Sequence, residues 1–192
     1  MTLILDTLRR PELELLASIE GFSLDSIAGA ELPDFLGGWE ILVVTDHRTL
    51  RIWSDVEEHD FEGFKEQYSR LFVAQSDEGL EEATQKGNRY YFHSGERIDR
   101  IDLIRDTVRA EVMGFPTWEY VSDVAIVFSL SGGSLAIRRE HMNLEVISAS
   151  FSDTARTAEI PSPTSYFTDT IDTQHSFERL AIPIATLLRA AD

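Results

Sequence analysis

Four carboxylates and one imidazole stand close together in one short segment of the chain. The segment, Asp55-Val-Glu-Glu-His-Asp60, contains ligand types that suit a divalent cation. It lacks the bend-forming glycine and the spacing of a calcium-binding loop, and no second cluster of ligands stands near it in the sequence. We therefore expect no metal site and interpret the segment as an acidic turn after a hairpin, either plain solvated surface or a contact for a basic partner. The acids concerned are Asp55, Glu57, Glu58 and Asp60.

A second group of charges follows from the strand pattern further along the chain. If two antiparallel strands meet across a turn at 114–116, their odd-numbered residues lie on the side opposite the apolar residues. An acid between two arginines stays ionised, so Asp123 near Arg105 and Arg109 could form the polar floor of a ligand pocket. The alternative is a half-solvated sheet face with cross-strand ion pairs. The complete group is Arg105, Arg109, Glu111, Glu119 and Asp123.

Other motifs typical of catalytic, metal-binding or cofactor-binding sites are missing from the sequence. The chain has no cysteine, which excludes disulfides, zinc-thiolate sites and thiol nucleophiles. Its five histidines are dispersed without the spacing of a zinc site, and no Gly-x-Ser-x-Gly elbow occurs. The pair Gly132-Gly133 has no lysine after it, which argues against a phosphate-binding loop. We therefore predict no catalytic residue, no metal and no cofactor, which favours a non-enzymatic protein without excluding an enzyme.

The charge of the chain restricts its partners. There are 34 acidic residues against 17 basic ones, which leaves a net charge of −17. Such a surface repels phosphate backbones and anionic lipids, so we expect no direct binding to nucleic acid or to a membrane. A basic protein is the partner that this charge favours, because complementary charge speeds association.

The start of the chain and its apolar runs favour a cytoplasmic location. The first apolar run breaks at Asp6, and Arg9 and Arg10 follow it, which reverses the order found in a secretory signal peptide. The longest unbroken apolar run, residues 124–128, is far too short to span a bilayer. The absence of cysteine also fits a reducing compartment.

Local patterns predict the elements of the first half of the chain. Pro11 suits the first turn of a helix and Gly21 its end, so a helix is expected over 11–20. The aromatic residues between 61 and 71 recur at helical spacing and predict a second helix. The remaining elements expected here are an ordered loop at 22–38, a hairpin of strands 39–45 and 49–54, helices at 60–74 and 77–85, and a strand at 89–93.

Residues 118–130 have the clearest pattern in the sequence. Apolar residues occupy nearly every even position, which predicts a long strand with one buried face. A two-residue turn at Gly132-Gly133 would then place Phe128 opposite Ile137. The residues expected in the core are Trp118, Tyr120, Ile126, Phe128 and Ile137.

The same antiparallel meander is expected to continue on both sides of that hairpin. Upstream, a strand from about Leu103 would bring Val112 opposite or near Trp118. Downstream, a loop near residues 140–143 would place Arg138 opposite Glu145.

These elements predict an α+β fold, an antiparallel meander sheet of about six to eight strands with helices packed on one side. A β-sandwich or barrel with peripheral helices is the alternative, because short strands at close spacing also suit that class. No linker or repeat divides the chain, so one domain is expected over 1–192. Its parts are an N-terminal helix and hairpin at 1–60, a helical segment at 60–86, an antiparallel meander at 88–151, and a C-terminal wrap at 152–192 with a helix starting near Ser176.

Two classes of function remain open on the sequence alone. The first is a non-enzymatic acidic interaction protein, of inhibitor or immunity type, that binds a basic partner through the acids of segment 55–60. The second is an enzyme or a small-ligand-binding protein with a pocket on the charged sheet face. A deep pocket that contains Asp123 and Arg109 would favour the second class.

Overall fold

The fold is built from strands, with two short helices packed against them. The computed structural model describes residues 1–32, 35–61, 64–76, 88–92, 96–152, 160, 162, 164 and 166–190. Neither helix described there is long and apolar enough to cross a membrane. The elements are β1 (Thr2–Asp6), α1 (Arg10–Ala17), β2 (Leu24–Leu32), β3 (Phe35–Thr45), β4 (Thr49–Phe61), β5 (Phe64–Ser76), β6 (Asn88–Tyr91), β7 (Ile98–Val112), β8 (Phe115–Leu130), β9 (Gly133–Arg139), β10 (Ile147–Ser152), β11 (Thr173–Pro183) and α2 (Ile184–Ala190).

All of these strands belong to one sheet of 11 strands. Its main path runs β11-β7-β8-β9-β10-β3-β2-β6, and β1 and the β4–β5 hairpin branch from it. Strand β1 is parallel to β8, whereas the other strand pairs described are antiparallel. The predicted antiparallel sheet is confirmed, and the described residues contain more strands and fewer helices than expected. The sheet also stays open, unlike the barrel alternative.

Helix α1 forms where local signals place it. Pro11 lies in its first turn, and the backbone N–H of Arg9 donates to the carboxylate of Glu12 at 2.6 Å. The chain leaves this region through Gly21, whose φ of +89° is the left-handed conformation that glycine adopts easily. The helix predicted at 11–20 is therefore confirmed, although its last residues form a turn.

The segment after the first hairpin is a strand and not the predicted helix. The predicted hairpin of strands 39–45 and 49–54 is confirmed by the pairing of β3 with β4. Strand β4 continues past residue 54, and β5 pairs with it along its whole length. This pairing satisfies the backbone hydrogen bonds of both strands and overrides the helical spacing of the aromatic residues. The helix predicted at 60–74 is wrong, and the acids of 55–60 lie within β4 and not in a turn. The helix predicted at 77–85 lies outside the described residues.

Two other predicted elements also differ. Strand β2, paired with β3 and β6, occupies most of the loop predicted at 22–38, and β6 corresponds to the strand predicted at 89–93. At the C-terminal end, Ser176 lies in β11, which pairs with β7, and the helix begins only at Ile184. Pro183 stands at this change because its fixed φ suits a helix start and its missing N–H suits a strand end.

A β-bulge at Val124 divides β8 into two halves. Arg105 pairs with Asp123 and Ile104 pairs with Ala125, so Val124 has no residue opposite it on β7. One extra residue reverses the alternation of side chains. Even-numbered residues before the bulge therefore face one side of the sheet, and those after it face the other. The single buried face predicted for this strand is wrong.

The hairpin after β8 turns one residue earlier than predicted. Ser131 and Gly132 form the turn, and Phe128 lies opposite Leu135, not opposite Ile137. The register differs by two residues, so Phe128 and Ile137 still share a face, as predicted.

Two further predicted pairings are also displaced. Arg138 pairs with Ser148 instead of Glu145, because the loop between β9 and β10 is longer than expected. Val112 pairs with Phe115, and Trp118 with Ala110.

Apolar clusters lie on both sides of the sheet. The largest includes Ile126, Phe128 and Ile137, each with 0% of its surface exposed, together with residues of both helices. A smaller cluster on the opposite side is built around Tyr120, with Trp118 half-buried at its margin. Its buried members are Ile4, Val108, Tyr120 and Met142.

Candidate functional site

One edge of β8 is shared by two strands, and we call their meeting point the fork. Strand β1 pairs with the first half of β8 as far as Asp6 opposite Ser122. Strand β9 pairs with the second half, starting at Arg138 opposite Ala125. The bulge lies between these two pairings. Polar side chains from separate strands therefore meet over β8 on the side of the smaller apolar cluster.

Five side chains form a polar group at this point, which we call the fork cluster: Asp6, His59, Tyr120, Ser122 and Arg139. Asp6 Oδ1 lies 2.8 Å from His59 Nε2. The guanidinium of Arg139 donates one hydrogen bond to the Ser122 hydroxyl and another, of 3.3 Å, to the hydroxyl of Ser69 on β5. The five side chains come from four strands, and Ser69 adds a contact to a fifth.

Three buried polar atoms of the fork cluster form no well-aligned hydrogen bond among the described residues, although the Tyr120 hydroxyl and the Asp6 carboxylate interact with each other. They are Asp6 Oδ2, Tyr120 Oη and Arg139 Nε. These side chains belong to residues that are only 0%, 4% and 5% exposed. An unsatisfied buried polar group costs about 1–3 kcal/mol. The mutual interaction of Asp6 and Tyr120 offsets part of this cost, so Arg139 Nε is the clearest unsatisfied atom among the described residues.

Burial also changes the acid–base properties of this cluster. It raises the pKa of the Asp6 carboxyl, although interactions with His59, with the Tyr120 hydroxyl and with Arg139 act in the opposite direction. Burial likewise raises the pKa of the Tyr120 phenol above its ordinary value of 10.0. Tyr120 is therefore a neutral hydrogen-bond donor at physiological pH.

A recess of about 410 Å³, its open mouth included, adjoins the fork cluster. Tyr120, Ser122 and Arg139 belong to both, so they form the polar end of the recess. The rest of its lining is largely apolar, as in most small-molecule sites. The other lining residues are Asp106, Val108, Val124, His141, Met142, Ile160, Tyr166 and Phe167.

Two polar groups in the wall of the recess already have partners. Asp106 accepts two hydrogen bonds from Arg179, at 2.6 and 2.7 Å, which neutralises its charge. His141 Nδ1 accepts a hydrogen bond from the backbone of Asn143 at 3.1 Å. The neutral imidazole therefore carries its proton on Nε2. Its ring lies edge-on to Tyr166, with 4.7 Å between the ring centroids.

The charged pairs predicted from the sequence lie on the opposite side of these strands. Arg105 donates to Asp123 at 2.8 and 3.1 Å, and the fully buried Asp123 also accepts from the backbone N–H of Leu8 at 2.8 Å. Arg109 binds Glu119 at 2.6 Å. Asp123 follows Ser122 directly on β8, so its side chain points away from the recess. The structure thus holds these residues in cross-strand ion pairs.

The acids of segment 55–60 have separate environments along β4. Asp55 is exposed, and Glu58 binds Lys65 at 2.5 Å. Glu57 lies 3.2 Å from Arg9 and 3.7 Å from Arg70. Glu57 and His59 also approach Asp6: one ligand atom of each of these three residues lies within 4.8 Å of the other two.

Sequence reasoning missed the residues that meet at the fork. Asp6 and Arg139 are far apart in the chain, and each stands at the end of a strand. The one available signal was that Asp6 interrupts an apolar strand, a position where a buried charge needs a reason. Comparison of the chain with protein-family models, with curated proteins and with solved structures finds no match.

Proposed function

We propose that this protein binds a small organic anion, a monocarboxylate with an apolar body, in the recess beside the fork. The observation that carries the proposal is Arg139. It is 5% exposed, its hydrogen-bond partners are two neutral serine hydroxyls, and no carboxylate of the described residues forms an ion pair with it.

A buried cation without a counter-ion is costly. The effective desolvation penalty of a buried ion amounts to several kcal/mol, and excellent geometry with an opposite charge is needed to offset it. Asp6 is near enough for its charge to interact with Arg139, but its hydrogen bond goes to His59. A carboxylate in the recess would supply the missing charge, and guanidinium groups bind carboxylates with well-defined geometry.

The lining of the recess fits the rest of such a ligand. The carboxylate would meet Arg139 Nε, a donor without a partner among the described residues, and the Tyr120 hydroxyl, which also interacts with Asp6. Val108, Met142 and Phe167 offer apolar contact to its body. Asp106 does not repel the anion strongly, because Arg179 neutralises it.

The test is calorimetric titration with phenylacetate and octanoate, with the neutral phenylacetamide and octanamide as matched probes. At least one carboxylate should bind at a 1:1 ratio, and its amide should bind much more weakly. Arg139→Met should weaken carboxylate binding about 30-fold or more, since loss of a buried charge partner costs 2 kcal/mol or more.

Arg138→Met is the matched control. Arg138 is the neighbouring arginine, does not belong to the lining of the recess and binds Glu140 at 2.9 Å. This variant should bind the carboxylate as the parent does. Equal affinity for carboxylate and amide, or equal binding by the parent and Arg139→Met, would refute the proposal.

The other function predicted above, an acidic interaction protein that recognises a basic partner, stays a prediction. It rests on the net charge of −17 and on the acids of β4.

A further inference from the structure

A group of metal-ligand side chains lies beside the recess and is not needed for carboxylate binding. Asp6 comes from β1, and Glu57 and His59 come from β4. Glu57 and His59 are two residues apart on one strand, so their side chains point to the same side. The atoms that these three residues can offer to an ion lie within 4.8 Å of one another. We propose that Asp6, Glu57 and His59 bind a divalent transition-metal ion.

The first support for this proposal is the burial of the Asp6 carboxylate. Asp6 is 0% exposed; its Oδ1 contacts His59, and its Oδ2 forms no well-aligned hydrogen bond among the described residues, although the Tyr120 hydroxyl interacts with this carboxylate. A neutral hydroxyl offsets only part of the desolvation cost of a buried carboxylate. Coordination of a cation would offset much more of it.

The second support is the way Glu57 is held. Both arginines that approach it, Arg9 and Arg70, contact the same oxygen, Oε1. Arg70 is 1% exposed, pairs with Glu12 and donates to the backbone carbonyl of Thr7, so it lies fixed beside Glu57 without a hydrogen bond to it. Outer partners of this sort orient metal ligands in many proteins.

The ligand set selects the class of ion. One imidazole nitrogen with two carboxylate oxygens suits first-row transition metals such as Zn²⁺ or Mn²⁺ better than Ca²⁺, which takes six to eight oxygens. Three protein ligands leave at least one position for water or for a ligand molecule. The segment 55–60 alone did not predict this site, because the third ligand lies about fifty residues away in the sequence.

The arrangement without an ion is a hydrogen bond between His59 Nε2 and Asp6 Oδ1, at 2.8 Å. A metal ion would replace the proton that these two atoms share. Binding should therefore release a proton, as is general for histidine ligands.

The experiment is a calorimetric titration of EDTA-stripped protein with Zn²⁺, and with Co²⁺ as a spectroscopic probe. We expect a 1:1 complex, a rise in melting temperature with Zn²⁺, and visible absorption bands from bound Co²⁺. Glu57→Gln and His59→Gln should each weaken Zn²⁺ binding at least about tenfold, since even outer-shell substitutions cost 10–100-fold.

Glu58→Gln is the matched control, because it removes the next carboxylate on the same strand, which faces the other side and binds Lys65. It should leave Zn²⁺ affinity unchanged. If a variant fails to fold, NMR spectra of the parent protein still test the proposal. The imidazole resonances of His59 must then shift in proportion to added Zn²⁺, up to one equivalent. The proposal is overturned by absence of 1:1 binding, by unshifted His59 resonances, or by equal affinity of the parent and both folded ligand variants.

The metal-site proposal and the carboxylate-site proposal can be tested independently. Arg139→Met should weaken carboxylate binding and retain Zn²⁺ affinity, while His59→Gln should weaken Zn²⁺ binding and retain carboxylate affinity. Loss of one activity therefore leaves the other proposal standing.

Discussion

The half-buried Arg105, which has a carboxylate partner, and the buried Arg139, which has none among the described residues, should differ in what the same substitution does to stability. Arg105 forms a bidentate pair with Asp123, which is 0% exposed. Within the described part of the chain, the hydrogen bonds of Arg139 go to the hydroxyls of Ser69 and Ser122. Methionine keeps most of the aliphatic stem and removes the charge. We therefore compare Arg105→Met with Arg139→Met.

The contacts of each arginine determine how much each substitution should change the free energy of unfolding. Arg105→Met leaves a fully buried carboxylate whose remaining hydrogen bond comes from the N–H of Leu8, and the loss of one member of a buried pair costs about 3–5 kcal/mol. Arg139→Met gives up two hydrogen bonds to hydroxyls but also removes the desolvation penalty of an unpaired cation. These terms are of similar size, so its unfolding free energy should change by less than about 1 kcal/mol, or rise.

The assay is urea denaturation of both variants and the parent, without added carboxylate or metal. About 2–4 °C per kcal/mol is expected for a chain of this length, so melting curves give an independent reading. If Arg139→Met destabilises the protein as much as Arg105→Met does, Arg139 is a structural cation. The argument that it awaits an anionic ligand would then fail.

Three further outcomes are expected. Phe128→Ala should lower the unfolding free energy by about 3–5 kcal/mol, because Phe128 is 0% exposed in the main core, and an unchanged urea midpoint would contradict its placement. Stability should decline as the pH rises above 10, since the raised pKa of Tyr120 lets the unfolded chain ionise first; Tyr120→Phe should decline less in the same urea titrations. If the protein recognises a basic partner, replacing four acids of β4 by their amides should slow association at low salt, measured by stopped flow, and an unchanged rate would leave them as solvated surface. Those four are Asp55, Glu57, Glu58 and Asp60.

Much of the local structure follows from short-range signals in the sequence. Pro11 and Gly21 define α1, and alternation of apolar residues defines the strands around the first and second hairpins. Cross-strand ion pairs between Arg105 and Asp123 follow from the same alternation. These features depend on neighbours within a few residues or across one tight turn, so a single sequence contains the information.

The choice of strand over helix at 64–76 depended on a partner instead. Aromatic residues at helical spacing would suit either element, and the full-length pairing of β5 with β4 decided between them. The same holds for the register after β8, where a turn displaced by one residue changed every partner while keeping the faces.

The candidate site belongs entirely to the tertiary structure. The bulge at Val124 reversed the alternation of β8 and turned Tyr120 away from the main core toward Arg139. The branching of the sheet at that point brought Asp6 against His59. The sequence by itself determined the charges, the strand periodicity and the one clear N-terminal helix. Long-range strand pairing decided which polar groups meet in the interior, because the hydrogen bonds and the burial that hold them together come from strands far apart in the sequence.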